Sequence, residues 1–185
     1  MGYDTLKPLG QRINYTEKYK KERGALEKEF QQYLDDWKTY PNMVVNYAKK
    51  YGDLPVMNHK PYGQWERFSW NQLSEIMFAV ASSLLNAGLK EEDKIGIFSP
   101  NRAEWHQSAL GAMMTRGVAV PIYATNTEEE VTYIVNDAEI KVLFVGRQVH
   151  YDKSYPLLDK CPSLEKIVVF HRGTEIHDDK RVVMW

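Results

Sequence analysis

The chain has 185 residues, 43% hydrophobic and 26% charged, with 24 basic and 25 acidic side chains giving a formal net charge of −1. That is enough apolar material for one domain with a core and an additional arm. The near-neutral balance removes any global electrostatic case for nucleic acid or an anionic membrane, and the single cysteine, Cys161, excludes an internal disulfide.

Cys161 is expected to be a small, semi-buried apolar residue in a reducing compartment. No run of about 18 apolar residues is present, so no membrane-spanning segment is expected, and the N terminus lacks an apolar signal core. Met1-Gly2 fails the myristoylation pattern because Leu6 stands where Ser or Thr is required. Asn14-Tyr15-Thr16 is a glycosylation sequon in letters only.

Residues 1–14, with Pro8 and Gly10, show no periodicity and are expected to form an extended arm. From Thr16 to about Lys38, Tyr19, Leu26, Phe30, Tyr33, Leu34 and Trp37 fall on one face at helical spacing, and Glu17 and Lys21 form a favourable pair four residues apart. This helix either packs on its own domain or docks on a partner subunit. Pro41 is expected to break the chain, followed by a short helix from Met43 to Lys50 that ends at Gly52. Pro55–His59 and Trp65–Ser69 read as strands joined by turn residues from Lys60 to Gln64, hence an antiparallel hairpin.

Ser69 and Gln72 have capping-box spacing. Leu73, Ile76, Met77, Val80, Ala81, Leu84 and Leu85 follow as a wide apolar stripe, closed by Gly88. Lys94–Phe98 is a buried strand. Asn101 and Glu104 have the form of a second capping box, opening a helix whose inner face is Trp105, Ala109, Ala112 and Met113 and which ends at Gly117. Val118–Tyr123 is the next strand, and Pro121, which lacks a ladder donor, places it at a sheet edge or ends it there. Thr127 and Glu130 repeat the capping box before a helix with Val131, Ile134, Val135 and Ala138 inward, and Val142–Val145 is a third strand. The alternation continues more weakly through a helix from Tyr151 to Lys160 interrupted by Pro156, a strand at Ile167–Phe170, a polar loop from His171 to Lys180, and an apolar run at Val182–Trp185. Such alternation predicts an α/β fold, a parallel sheet of βαβ units with flanking helices and a short antiparallel hairpin. The expected organisation is residues 1–40 as arm and amphipathic helix and residues 41–185 as an incomplete α/β subdomain.

Chemistry is sparse. Neither G-x-x-x-x-G-K-[ST] nor G-x-G-x-x-G occurs. Ser99-Pro100-Asn101 and Ala124-Thr125-Asn126-Thr127 follow strands, where open α/β sheets bind ligands, and both are accounted for as helix caps. His59, His106, His150, His171 and His177 lack metal-ligand spacing. His177-Asp178-Asp179 reads as a solvated polar loop, and Glu128-Glu129-Glu130 as acids complementing a helix dipole. No serine has a nucleophile-elbow setting. The expected catalytic, cofactor-binding and metal-binding residues are therefore none.

The order Asp93-Lys94-Ile95-Gly96-Ile97-Phe98-Ser99-Pro100-Asn101-Arg102-Ala103-Glu104-Trp105 resembles the adenylate-forming acyl-CoA synthetases, as does Gly117-Val118-Ala119-Val120-Pro121-Ile122-Tyr123-Ala124-Thr125. Glu129-Glu130, Tyr133–Asp137, Lys141–Val145 and the entry Phe68–Leu73 fit the same family, within which the long-chain fatty acyl-CoA ligases are most similar. The resemblance runs from about Pro41 to Phe170 and rests on scaffold motifs. It implies an N-terminal subdomain of a ligase that uses ATP and Mg²⁺ to make an acyl-adenylate and then acylates coenzyme A. The family's phosphate loop, ribose-binding acid and C-terminal lysine lie downstream of the matched region, so the resemblance carries over no catalytic residue. It further implies a fragment inactive alone, with fatty acid and CoA as substrates of the complete enzyme. The remainder of the polypeptide is the implied partner, with a homodimer contact as one role for the Thr16–Lys38 helix. The implied location is cytoplasmic or peripheral to a membrane. Two other readings are a stand-alone α/β binding or interaction module and a small nucleotide-binding enzyme; a Ser/Thr/Gly-rich loop in the reading frame beyond Trp185 would separate the first reading from both.

Overall fold

The computed structural model describes residues 28, 30–32, 34, 35, 37–61 and 63–185. The expected arm, the sequon and most of the Thr16–Lys38 helix lie outside the described residues. Those described between 28 and 37 are helical, with Phe30 and Leu34 exposed. The chain divides into two compact units, Met1–Met43 and Val44–Trp185.

Helix α1 spans Tyr40–Tyr51. Pro41 does not break the chain as expected; it sits in the first turn, where a missing N–H removes no helical bond. Thr39 supplies the start, its Oγ1 accepting from the Asn42 amide at 3.3 Å. Gly52 ends the helix at φ 55°, its amide reaching Ala48 O. Strands β1 (Pro55–His59) and β2 (Glu66–Ser69) pair antiparallel, confirming the hairpin. Tyr47 and Tyr51 of α1 meet Trp70 at ring separations of 5.0 and 6.1 Å, tying the hairpin's exit to that helix.

Helix α2 spans Trp70–Asn86 and opens with the expected capping box: Ser69 Oγ accepts from the Gln72 amide, and Gln72 Oε1 accepts from the Ser69 amide at 2.9 Å. Leu73, Met77, Val80, Ala81 and Leu84 are buried, whereas Leu85, assigned to the stripe, lies exposed at its margin.

Five strands form one parallel sheet in the order β4–β3–β5–β6–β7: β3 Lys94–Phe98, β4 Val118–Ile122, β5 Ile140–Val145, β6 Lys166–Val169 and β7 Val182–Met184. Strand β4, carrying Pro121, is at an edge as expected. Helix α3 (Ala103–Met114) links β3 to β4, and α4 (Glu128–Asp137) links β4 across β3 to β5. Because β3→β4 and β4→β5 run in opposite directions along the sheet and such crossovers are right-handed, the two helices fall on opposite faces. One face buries Phe98, Ile140, Leu143, Val145, Ile167 and Val169 beneath α4, α5 (Gln148–Ser154) and α6 (Leu157–Lys160). The other buries Ile95, Ile97, Val142 and Phe144 beneath α2 and α3.

Helices α2 and α3 touch closely at Gly111, where an added Cβ would run into Val80. The sequence misplaced both ends of α3. It ends at Met114, and Arg116 rather than Gly117 takes the left-handed conformation, at φ 61°. Gly117 is needed for space, since a Cβ there would stand 3.1 Å from Asp93 O. Met113 points outward, and Gln107 and Ser108 are buried in its stead.

Candidate functional site

In an open parallel sheet the natural ligand crevice lies beyond the carboxyl ends of two neighbouring strands whose connections leave toward opposite faces. Here those strands are β3 and β5: β3 leads into α3 on one face, and β5 into α5 on the other. The loops following them, 99–102 and 146–147, lie side by side, with the Gly146 amide donating to Phe98 O at 3.0 Å.

This crevice is filled by the chain's own groups. Gly146 is a glycine because Ser99 Oγ occupies the place of a Cβ, at 2.6 Å. Ser99 is buried and its hydroxyl donates to Pro100 O at 2.9 Å. The buried Arg102 side chain crosses the gap and donates from Nη1 to Gly146 O at 3.0 Å. Its Nε and Nη2 hold Glu104 in a bidentate pair at 2.9 and 2.6 Å, and its guanidinium lies 5.3 Å from the Phe170 ring centre.

That pair explains why the expected Asn101–Glu104 capping box does not form. The Glu104 carboxylate is taken by Arg102, the N-cap position falls to Arg102 with no side-chain cap, and Asn101 is exposed. Burial pushes the Glu104 carboxyl up, but the Arg102 guanidinium and the helix's own amide more than offset it, so the carboxyl is held below the usual carboxylate range. His59 Nδ1 approaches the same carboxylate at 3.8 Å.

The second expected turn, Ala124–Thr127, is likewise committed. Thr127 and Glu130 form their capping box, with the Thr127 amide donating to Glu130 Oε2 at 2.8 Å. Lys153 of α5 donates to Asn126 O at 2.7 Å. His150 is buried beside Phe98, its Nδ1 accepting from the Arg147 amide at 3.2 Å, and burial pushes the imidazole below its ordinary value. In the Glu128–Glu130 run, Glu128 pairs with Lys160 and Glu130 belongs to the cap, so the acids complete the helix start.

The donor set does not fit a nucleotide triphosphate or its magnesium. A phosphate cradle presents converging free amides, whereas the crevice amide and carbonyl at Gly146 are bonded within the fold and Arg102 and Lys153 are spent on backbone carbonyls. Among the described residues no three His, Cys, Asp or Glu side chains come together as a metal site. Arg102, Gly146, His150 and Lys153 carry the geometry here, and sequence reasoning missed them. Arg102 and Gly146 are signalled only by lying in the turns after strand ends, and His150 and Lys153, inside α5, have no local signal.

The loop at His177–Asp179 is solvated as expected, with His177 and Asp178 exposed, and it is also anchored. The His177 ring stacks on Tyr155 at 3.9 Å and its Nδ1 lies 2.9 Å from the Tyr151 hydroxyl, which also accepts from the His177 amide at 3.0 Å. Asp179 grips Arg181 through both oxygens, and those hydrogen bonds hold its carboxyl at about 2. Arg181 therefore takes the place a cation would have had. The folded-state value is depressed, so the pair stabilises the fold fully above the ordinary aspartate value near 3.8 and loses that contribution as pH falls toward 2. Asp179→Asn is expected to lower the melting temperature at pH 7, with the gap from the parent narrowing between pH 4 and 2; a gap independent of pH would contradict the assignment. Cys161 is buried, which pushes its thiol up, in keeping with a structural residue.

Comparison with known proteins accords with this architecture. The chain is 30% identical over 136 residues to the long-chain-fatty-acid–CoA ligase ACSBG1 of Bos taurus, covering 74% of this chain and 19% of that protein. It is 29% identical over 147 residues to ACSBG2 of Rattus norvegicus, a ligase of the same description, covering 80% and 22%. The chain thus spans about a fifth of the length of these relatives. The crystal structure of coronafacic acid ligase from Pectobacterium brasiliense superposes with a TM-score of 0.68 at 18% identity, over 77% of this chain and 27% of that one, which shows a shared fold. The family model described as AMP-binding enzyme matches residues 44–181. With the α/β sheet, the hairpin and this match over most of its length in agreement, the chain belongs to the AMP-binding enzyme family.

Proposed function

We propose that the chain is the N-terminal part of a long-chain fatty acid–CoA ligase and serves it as scaffold. The complete enzyme converts a fatty acid, ATP and CoA to acyl-CoA, AMP and pyrophosphate, with Mg²⁺ on the nucleotide. Residues 1–40 form an arm with an amphipathic helix, and residues 41–185 form the first α/β subdomain. The enzyme acts in the cytoplasm or at a membrane surface. No helix among the described residues is long and apolar enough to cross a membrane, consistent with either place.

The observation that carries this reading is the crevice between β3 and β5. It has the topology of a ligand site, yet Ser99, Gly146 and Arg102 close it with contacts inside the fold. A subdomain built this way supports chemistry located elsewhere in the complete protein. The names of the relatives supply the substrate class, and their length supplies room for the missing machinery. No residue of 1–185 is assigned a catalytic role.

Purified 1–185 is expected to form no acyl-CoA from palmitate, ATP, Mg²⁺ and CoA, while the complete ligase turns over under the same conditions. Acyl-CoA formation by 1–185 alone would refute the scaffold assignment; a complete chain that binds ATP without activating any fatty acid would refute the substrate class.

A further inference from the structure

Hairpin β1–β2 rests on the fold by one face only. Met57, His59 and Phe68 on that face are half-buried, and His59 approaches Glu104 of α3 at 3.8 Å. The pairings of Asn58 with Arg67 and of His59 with Glu66 fix which side chains share the other face, because successive strand residues alternate. Asn58 and Arg67 lie on that outer face, and Lys60 and Trp65 follow one pair further along. Lys60 Nζ sits over the Trp65 ring, 5.7 Å from its centre, so these two point the same way. All four side chains are exposed, Trp65 at 66%, whereas Trp37, Trp70, Trp105 and Trp185 are half-buried. The outer face thus carries two cations around an outward tryptophan and no acid. Among the described residues neither Lys60 nor Arg67 pairs with a carboxylate. The near-neutral total charge of the chain hides this local separation.

We propose that this outer face is a contact surface for an anionic lipid membrane, with Trp65 seated among the headgroups and Lys60 and Arg67 held against lipid phosphates. It goes beyond the scaffold role and does not depend on the acid that the complete enzyme activates. Three features select a lipid surface. An indole, with an apolar body and one N–H donor, settles at the boundary between headgroups and acyl chains. Unpaired cations beside it are drawn to an anionic leaflet, and shallow apolar burial and charge attraction add in interfacial anchors. Strands of five and four residues also offer far less than the 800 Å² or so that each partner of a stable protein complex contributes, whereas a lipid surface moulds itself to a small projecting tip.

The test is co-sedimentation of 1–185 with vesicles of phosphatidylcholine and phosphatidylglycerol in equal amounts, against vesicles of phosphatidylcholine alone. In parallel, Gln64→Cys at the hairpin tip carries a nitrobenzoxadiazole label, with labelled Arg116→Cys, whose side chain is 75% exposed in the parent, as reference; the native Cys161 is buried. The chain is expected to sediment with the mixed vesicles in low salt, to be released in high salt, and to stay in solution with the neutral ones. Lys60→Glu/Arg67→Glu is expected to lower the affinity at least about tenfold and Trp65→Ala at least about threefold. The label at position 64 should shift to the blue on adding mixed vesicles while that at position 116 does not. This second readout leaves Lys60, Trp65 and Arg67 in place, so it stands even where a substituted hairpin fails to fold. No sedimentation with the mixed vesicles, binding indifferent to these substitutions, or equal shifts at both labels would overturn the proposal. An equal shift at position 64 with soluble poly-glutamate in place of vesicles would also overturn it, in favour of an acidic protein segment. So would a shift that grows with protein concentration without vesicles, because a second copy would then be the partner.

Discussion

Arg102→Ala is expected to destabilise the protein by about 3 kcal/mol, the lower end of the range for breaking a buried ion pair from one side. The guanidinium is 7% exposed and the Glu104 carboxylate 15%, so water compensates little for the loss. Two consequences compound. Gly146 O loses its side-chain donor in a buried setting, and Glu104 keeps its burial while losing the group that offsets it. The sign with pH follows. In the parent, Glu104 is held below its ordinary value, so its contribution is present above that value and is lost as pH falls through the folded one. In Arg102→Ala, burial is opposed only by the helix amide and His59, so the carboxyl moves up, and the penalty is greatest at neutral pH and shrinks in acid. Denaturant titrations at pH 7 and pH 4 measure both. Glu104→Gln in the Arg102→Ala background should recover part of the loss, because it removes the orphaned charge. Arg102→Lys should recover little, because an ammonium cannot span Gly146 O and both carboxylate oxygens. A pH-independent penalty, or a double variant no better than Arg102→Ala, would show that Arg102 acts through packing alone.

Phe144→Ala is expected to cost about 3 kcal/mol, within the range for truncating a buried aromatic. Phe144 is 2% exposed at the centre of the sheet and stacks on Phe170 at 5.7 Å, with Trp185 edge-on at 6.1 Å. It also lines an apolar groove beside α2, so one side of the new cavity opens to an existing space and the cost falls toward the bottom of that range. For a chain of this size the melting temperature should drop by about 6–12 °C. Phe144→Leu, which refills most of the volume, should be milder.

Arg102 and Phe144 show where the sequence was informative and where it was silent. Phe144 belongs to an apolar run that any pattern reading assigns to a strand. Arg102 is one letter of a polar turn, and its partner Gly146 is 44 residues away. Nothing local says that the guanidinium will span the gap between two strand ends. The hint lay in Asn101 and Glu104, whose spacing promised a capping box that a longer-range bond displaced.

What the sequence determined by itself is the set of features settled within a few residues. The Ser69–Gln72 and Thr127–Glu130 caps formed as their spacing required, because each closes a hydrogen-bonded ring three residues wide. The turn residues before Trp65 made the hairpin, and Pro121 kept β4 at an edge because a proline cannot donate to a neighbouring strand. The central block also identified the family. Only the tertiary structure decided the rest. Strand order placed β3 between β4 and β5 and so brought Ser99, Arg102 and Gly146 together, through ladder pairings between residues about 25 to 50 positions apart that no local rule fixes. The exposure of Leu85 and Met113 and the burial of Gln107 depended on which neighbour each helix met, as did the anchoring of His177 on Tyr151 and Tyr155. Local hydrogen bonds are written in adjacent letters, whereas burial and long-range pairing are settled by whatever the rest of the chain brings alongside.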